Sequence, residues 1–453
     1  MGVRFPPSAP LPVRCLGGLM ASAKDIAFQN GVVGAGGAGF PSYVKLSSIV
    51  DFFIVNAAEC EPLLYKDEEI LRNFFEDFKK GVLSIKECVK AKKCFIGIKE
   101  KHIDLIDEIK SKLPDKVEIF LLKDTYPSGD EFLLVYDVTG RAIPKGGIPL
   151  DVGVLVQNVE TVYNIGRAKP VIEKFVTISG DVDESITLKV PIGISFLDVV
   201  GELKINVEGK KFIIGGPMMG YFSPTLDIPV TKCDSGVVIL PENHPLIFKK
   251  SRNKRNIEKI AYTCDQCTRC SDLCPRDLLG HDVKPHKAMI SVSMSLKEKT
   301  PFQISSLYCC ECGLCSLYSC PEELDPSNVM ILSKRKLFEE GKRPQKINVE
   351  PSPLYDYRRT PTKLLIRRLG LEDYLKPHRF IEREFKPKVV SLKLNQHRGE
   401  IAKPVVKKGD RIKKGEVVAK TEDGKMGSRI FSSIDGVVKE LSKDAVVIEN
   451  REN

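Results

Sequence analysis

The sequence is most informative first through what it lacks. No run of eighteen apolar residues occurs anywhere in its 453 residues, so the sequence predicts no membrane-spanning helix. No apolar segment near the start is long enough for a secretory signal, which argues against an oxidising compartment and against disulfides. A Rossmann-type glycine fingerprint is missing, so nothing separates NADH from NADPH. No constellation of nucleophile and base reads as catalytic in its own right. Strong charge of one sign is also absent: the net charge is +10, mild for this length. The densest basic run, Lys249-Lys250-Ser251-Arg252-Asn253-Lys254-Arg255, has no interleaved aromatics. That suits a solvated linker, or a dock for an acidic partner, better than nucleic-acid binding. The hydrophobic content of 42% is that of ordinary globular protein, and the length suggests about three or four domains.

What is present is cysteine, in a pattern. Nine of the fourteen cysteines lie between positions 264 and 320. They form Cys264-x-x-Cys267-x-x-Cys270-x-x-x-Cys274-Pro275 and then Cys309-x-x-Cys312-x-x-Cys315-x-x-x-x-Cys320-Pro321. A four-iron cube needs three thiolates on one tight loop and a fourth from elsewhere, and the following proline turns the chain away. The first run matches the bacterial ferredoxin run, in which the fourth cysteine ligates the other cluster. The expectation is therefore two [4Fe–4S] clusters: Cys264, Cys267, Cys270 and Cys320 on one, Cys309, Cys312, Cys315 and Cys274 on the other. Structural zinc is the competing reading, but a third cysteine at the next three-residue step is surplus to it. The second run has an extra residue before its last cysteine, and Cys310 is a spare thiol beside a ligand. His281 and His286 flank the segment and are read as surface or second-sphere groups. The other cysteines (Cys15, Cys60, Cys88, Cys94 and Cys233) are scattered and expected to be reduced, which with low-potential clusters places the protein in the cytoplasm.

Residues 1–19 carry four prolines and are expected to be a disordered or mis-started tail; the patterned chain begins at Met20. Ala21 to Gln29 reads as a short helix. A glycine loop follows, Gly31 to Pro41, whose amides can approach a phosphate closely. Phe52 to Asn56, Cys94 to Ile98 and Val117 to Leu122 read as strands, with helical pattern over Asp67 to Lys90 and Ile103 to Lys112. Such alternation argues a parallel sheet covered on both faces. Ligands on such sheets sit at the carboxyl ends of the strands, where Asn56 and Glu59-Cys60-Glu61-Pro62 lie.

Four pieces of this region, in order, carry a resemblance. Gly34-Ala35-Gly36-Gly37-Ala38-Gly39-Phe40-Pro41-Ser42-Tyr43-Val44-Lys45, Val55 to Pro62, Tyr126-Pro127-Ser128-Gly129-Asp130-Glu131, and Val156 to Thr161 resemble the flavin and nucleotide motifs of the NADH-binding flavoprotein of respiratory complex I. The resemblance implies FMN held by Gly34, Gly36, Gly37, Lys45, Asn56, Tyr126, Gly129, Gln157 and Asn158. It further implies that Phe40 stacks on NADH and that Glu59, Glu61 and Glu131 help place it. Two departures weigh on the NADH part more than on FMN: the family's Arg in the glycine loop is Ala35 here, and its Asp after Asn-Ala is Ala58.

Strand and turn pattern from Val176 to Ile214, closed by Gly215-Gly216-Pro217-Met218-Met219-Gly220, resembles a soluble-ligand-binding (SLBB) β-grasp module. Asp325-Pro326-Ser327 is expected to cap a helix through Phe338, and helical pattern is also read over Leu278 to Glu298. Lys363 to Leu375 reads as an amphipathic helix packing across the flavin domain. From Lys388 onward, short strands and glycine turns resemble a lipoyl-type barrel-sandwich hybrid. Lys425 stands eleven positions before Gly436, near where a lipoyl domain carries its modified lysine. An unmodified scaffold is the reading preferred to a swinging arm.

The expected fold class is thus a multidomain α/β and β protein. Its parts are a tail (1–19), a complex-I-type FMN/NADH-binding α/β domain (20–170), an SLBB β-grasp module (171–248), a two-[4Fe–4S] ferredoxin-like helical module (249–346), a linker with a packing helix (347–387) and a barrel-sandwich module (388–453). This order resembles the RnfC components of Rnf electron-transport complexes. The C-terminal barrel-sandwich brings it nearer to the cobalamin reductases of propanediol-utilization microcompartments. The resemblance implies an oxidoreductase that passes electrons from NADH through FMN and two [4Fe–4S] clusters to an acceptor protein or a corrinoid. The alternatives are an RnfC-like electron-wiring component of a larger complex and a corrinoid-binding adaptor. A microcompartment and the periphery of a membrane complex are the two special stations implied within the cytoplasm.

Overall fold

A computed structural model describes residues 21–251, 263–293 and 301–450. The expected tail, the basic run beyond Ser251 and the helical pattern beyond Ser293 lie outside them. Among the described residues no helix is long and apolar enough to cross a membrane.

The first unit is a four-stranded parallel sheet made of β1 (Phe52–Ala57), β2 (Lys93–Lys99), β3 (Val117–Leu122) and β5 (Val154–Asn158); a short β4 (Thr125–Tyr126) stands apart from it. The order is β3-β2-β1-β5, and every neighbouring pair is parallel. Phe53, Ile54 and Val55 in the central strand are fully buried, each worth about 1.5–3 kcal/mol. The first helix, Ala23–Gln29, starts on Ser22, whose side chain accepts from the Asp25 amide. The helical pattern expected over Asp67 to Lys90 is two helices, Lys66–Asn73 and Phe75–Cys88, parted at Phe74, whose φ of −132° leaves the helical region.

The second unit is a six-stranded mixed sheet built from β6 (Glu173–Gly180), β7 (Ser185–Pro191), β8 (Lys210–Ile214), β9 (Tyr221–Ser223) and β10 (Gly236–Pro241). The helix Phe196–Glu202 caps its apolar face. Its sixth strand comes from far along the chain. After the small pairing strand β11 (Thr360–Pro361), β12 (His378–Ile381) joins the edge parallel to β7, in a stretch whose sequence reads as linker. The amphipathic helix is Thr362–Leu369, ended by Gly370 at φ 68°. It does not simply cross the flavin domain. Leu365, Ile366 and Leu369 enter a core shared with Tyr126, Leu246, Cys312 and Leu317, so the helix seals the junction of three units.

In the cysteine-rich unit, the pattern over Leu278 to Glu298 is broken. Pro275–Leu278 and Pro285–Ser293 are separate helices, with Gly280 at φ 83° between them. The helix Pro326–Glu339 is capped by Asp325, which accepts from the Asn328 amide. The C-terminal unit pairs a four-stranded sheet, β13 (Val389–Lys393), β15 (Arg411–Ile412), β18 (Gly436–Leu441) and β19 (Ala445–Glu449), with a three-stranded one, β14 (Lys403–Pro404), β16 (Val417–Lys420) and β17 (Ile430–Phe431). Lys425 is exposed on the turn between β16 and β17.

Candidate functional site

The glycine loop is built as an anion cradle. The Gly34 amide donates to the Phe40 carbonyl (2.8 Å), the Gly39 amide to the Gly34 carbonyl (3.1 Å) and the Ala35 amide to Thr161 Oγ1 (2.9 Å). Among the described residues, the amides of Gly36, Gly37 and Ala38 donate to no protein acceptor. Gly37 adopts φ 99°, and a Cβ there would meet open space. Successive free amides on such a turn form a concavity for a phosphate. Lys45 stands beside the loop, donating to Glu131 Oε1 (2.8 Å) and the Val156 carbonyl (3.4 Å), with its ammonium 5.9 Å from the centre of the Phe40 ring.

The strand ends meet this loop. Asn56 Nδ2 donates to the Gly129 carbonyl (2.8 Å). A Cβ on Gly129 would stand 2.7 Å from the Ala58 carbonyl, so only glycine fits. Gln157 is buried, and its Nε2 has no hydrogen-bond partner. A buried donor of this kind, beside free loop amides, is what a flavin's polar ring edge and phosphate would satisfy. The residues present fit FMN.

Beneath the loop lies a buried ionic floor that sequence reasoning missed. Lys174 bridges Glu160 and the Ala35 carbonyl (3.2 Å to the latter). Lys66 joins Asp67 (2.5 Å) and Glu160 (3.5 Å), and Asn158 Nδ2 donates to Asp67 Oδ2 (2.7 Å). Glu160 and Thr161 stand within the quoted Val156–Thr161 run, but nothing in their spacing announced this role. Burial, and then Asp67, push the carboxyl of Glu59 up to about 8 against the pull of Lys66. Glu61 is fully engaged elsewhere: its two oxygens accept from the amides of Met218 and Met219, both at 2.8 Å. It clamps the Gly215–Gly220 turn onto the flavin unit.

The cysteines gather in two sets. Cys264, Cys267, Cys270 and Cys320 line one pocket. Burial raises the Cys270 thiol to about 12, and Cys264, Cys267 and Cys320 add to the rise. Cys309 and Cys274 act on Cys315 in the same way, after burial, as do Cys315 and Cys274 on Cys312. Cys315 also feels Cys270 across the gap between the sets. Thiols so crowded resist ionisation unless cations sit among them, which is what iron supplies. Among the described residues no three His, Cys, Asp or Glu side chains close on a single ion, as a zinc site requires. The donor set fits clusters.

The two cysteine loops repeat one backbone. Gln266 and Thr268 take φ 56° and 65°, and Glu311 and Gly313, at the same offsets, take 61° and 75°. Left-handed residues on either side of the second cysteine turn successive thiols inward, at a strain tolerated at functional sites. Each loop also aims an N–H at its first sulfur: Gln266 Nε2 to Cys264 Sγ (3.1 Å) and the Glu311 amide to Cys309 Sγ (3.3 Å). The extra residue of the second run is absorbed by a π-turn, Cys315–Ser319, where the first run has the α-turn Arg269–Asp272. Cys310 lies against Cys312, Arg276 and Asp130. Of the histidines, His286 shares a hydrogen bond of 2.6 Å with Ser271 Oγ. His281 is not a surface group: it is buried edge-on to Phe132, and burial holds its imidazole down near 3.

Tyr126 ties the two halves together. It is buried, and its hydroxyl donates to the Cys312 carbonyl at 2.7 Å. This is a structural role in addition to the flavin contact expected of it. Cys267, in the other set, is exposed.

Comparison with known proteins matches these parts. Residues 28–167 match the Nuo51 FMN-binding domain, 263–325 a 4Fe–4S dicluster domain and 375–452 the RnfC barrel sandwich hybrid domain. The chain is a flavin–iron–sulfur electron-transfer oxidoreductase by these matches. It is 37% identical, over 55% of each chain, to the RnfC-type component of the proton-translocating ferredoxin:NAD(+) oxidoreductase complex of Clostridium ljungdahlii. Similarity to the cobalamin reductase PduS runs much further: 37% identity with that of Citrobacter freundii and 38% with that of Salmonella typhimurium, in both cases over 92% of this chain and 94% of the relative. With flavin loop, cysteine loops and barrel-sandwich all inside one end-to-end match, the chain belongs to the PduS cobalamin reductase family.

Proposed function

We propose that the protein takes electrons from NADH and delivers them through FMN and two [4Fe–4S] clusters to a corrinoid. In this reading Gly34, Gly36, Gly37, Lys45, Asn56, Tyr126, Gly129, Gln157 and Asn158 bind FMN. Phe40, Glu59 and Glu131 place the nicotinamide nucleotide, and Glu61 acts beside them by fixing the Met218–Met219 turn. The eight cysteines hold the clusters in the two sets given above, and the six-stranded sheet is read as the SLBB β-grasp module. FMN, when bound, supplies the exchange of an electron pair for single electrons, which a nicotinamide cannot perform.

The observation that carries this reading is the Tyr126–Cys312 hydrogen bond, which makes the flavin unit and the second cysteine loop one packed body. The second set then receives electrons first, and the first set, with exposed Cys267, faces the acceptor. The test is anaerobic mixing of reconstituted protein with NADH and then with oxidised cobalamin. Flavin and cluster bleaching followed by the spectrum of reduced cobalamin is expected; no bleaching with NADH or NADPH rejects the pyridine-nucleotide step.

A second reading, an electron-wiring component docked in a larger complex, is favoured by the likeness to the Clostridium ljungdahlii protein. Turnover with artificial acceptors but none with cobalamin would select it. In either reading the protein works on the cytoplasmic side, in a microcompartment or at the edge of a membrane complex.

A further inference from the structure

Arg276 is a buried cation that neither the flavin site nor the cysteine pattern accounts for. It lies two residues after Cys274, in the short helix Pro275–Leu278, and is 7% exposed. Its Nη2 donates to Asp130 Oδ2 at 2.8 Å. Asp130 also caps the helix Glu131–Thr139 of the flavin unit. The guanidinium lies 3.6 Å from the centre of the Phe132 ring, in the same helix. Its remaining inner donors, Nε and Nη1, are buried and have no hydrogen-bond partner. A buried guanidinium with two unspent N–H groups is costly unless an anion shares the site. Asp130 supplies one negative charge. Burial opposes the charge on Arg276, and Asp130 with the sulfurs of Cys310 and Cys312 more than offsets that.

We propose that Arg276 is a positioning and tuning residue for the cluster held by Cys274, Cys309, Cys312 and Cys315: its fixed charge and its free N–H donors raise that cluster's reduction potential, and its bond to Asp130 holds the cluster against the flavin unit. Reduction adds negative charge to a cluster, and a buried cation with N–H groups toward sulfur favours the reduced form. The first set has no counterpart among the described residues: the equivalent position after Cys320-Pro321 is Glu322. The two clusters are thereby set apart, with the one nearest the flavin made the easier to reduce. This inference rests on the two-cluster reading.

The test is a mediated redox titration of holo-protein followed by electron paramagnetic resonance. Iron content and two cluster signals in the wild type check the cluster reading on its own. Arg276→Gln is expected to lower the potential of one cluster only, so that at a fixed solution potential its reduced fraction falls about tenfold, a shift of about 59 mV for a one-electron couple. Arg276→Lys, which keeps the charge but not the fork, is expected to lie between. Asp130→Asn, which keeps the helix cap and removes the counter-charge, is expected to shift the same cluster the opposite way. Should Arg276→Gln fail to load iron, the Lys and Asn variants carry the test. Potentials unmoved in iron-replete variants would overturn the proposal.

Discussion

Cys310 and Cys312 show how far a single side chain's role depends on its neighbours. Both are thiols of one loop, two residues apart, and both lie close to Arg276 and Cys274. Spacing assigns Cys312 to a cluster and leaves Cys310 spare. Cys312→Ser is therefore expected to lose about half the iron, four of eight atoms for a [4Fe–4S] pair, while Cys310→Ser keeps it all; iron assay on anaerobically purified protein checks both. Lys232 is a residue the sequence did not single out. It is buried where three units meet and donates to the carbonyls of Gly31 and Arg429, both at 2.7 Å. With no carboxylate opposite it among the described residues, burial lowers its ammonium to about 7 from 10.5. Between those values the unfolded chain binds the extra proton, so stability is expected to climb as pH rises from about 7 toward 10.5. Lys232→Met is expected to be less stable overall, because two buried carbonyls lose their donor, and to lack that climb; urea unfolding across this pH range reads both.

Among elements, the Gly215–Gly220 turn is the one whose meaning changed most between sequence and structure. Its composition reads as a packed turn. The structure shows it seated on Glu61, where a Cβ on Gly216 would stand 2.1 Å from Glu61 Oε2. Glu61→Ala leaves the Met218 amide without its acceptor and is expected to cost roughly 1–3 kcal/mol, with Glu61→Gln, which keeps one acceptor oxygen, costing less; urea midpoints separate the two. Elements with strong periodicity or strict spacing were legible: the parallel strands, the glycine loop, the capped helix after Asp325 and the repeated cysteine runs. Three others were not. The break at Phe74 carries no proline or glycine. Strand β12 is four residues of half-exposed edge, His378–Ile381, specified by pairing with distant β7 and by His378 stacking on Tyr65 at 4.0 Å. The π-turn at Cys315–Ser319 resolves the uneven cysteine spacing, but only its hydrogen bonding shows it.

For the whole molecule, contacts that cross between units do what no unit does alone. The barrel-sandwich touches the flavin loop: the Arg398 amide donates to the Gly39 carbonyl at 2.8 Å, and Arg398 Nε to the Ala38 carbonyl at 3.3 Å. The ionic floor joins the flavin unit to β6 through Lys174. Tyr126 and Arg276 join it to the cysteine loops. None of these partners is near in sequence, which is why the candidate ligands were legible one by one and their arrangement was not. Tyr126→Phe is expected to leave bleaching of the flavin by NADH intact and to slow its reoxidation by the clusters several-fold, as seen by stopped-flow absorbance; unchanged transfer would reduce Tyr126 to a packing residue. The central claim is that eight cysteine thiolates hold two four-iron clusters on one chain with FMN. Its most direct test is metal and flavin analysis of the anaerobically reconstituted protein. The account predicts about eight irons per chain, as two [4Fe–4S] clusters require, with one FMN and no zinc. About four irons or fewer, or zinc in their place, would contradict it.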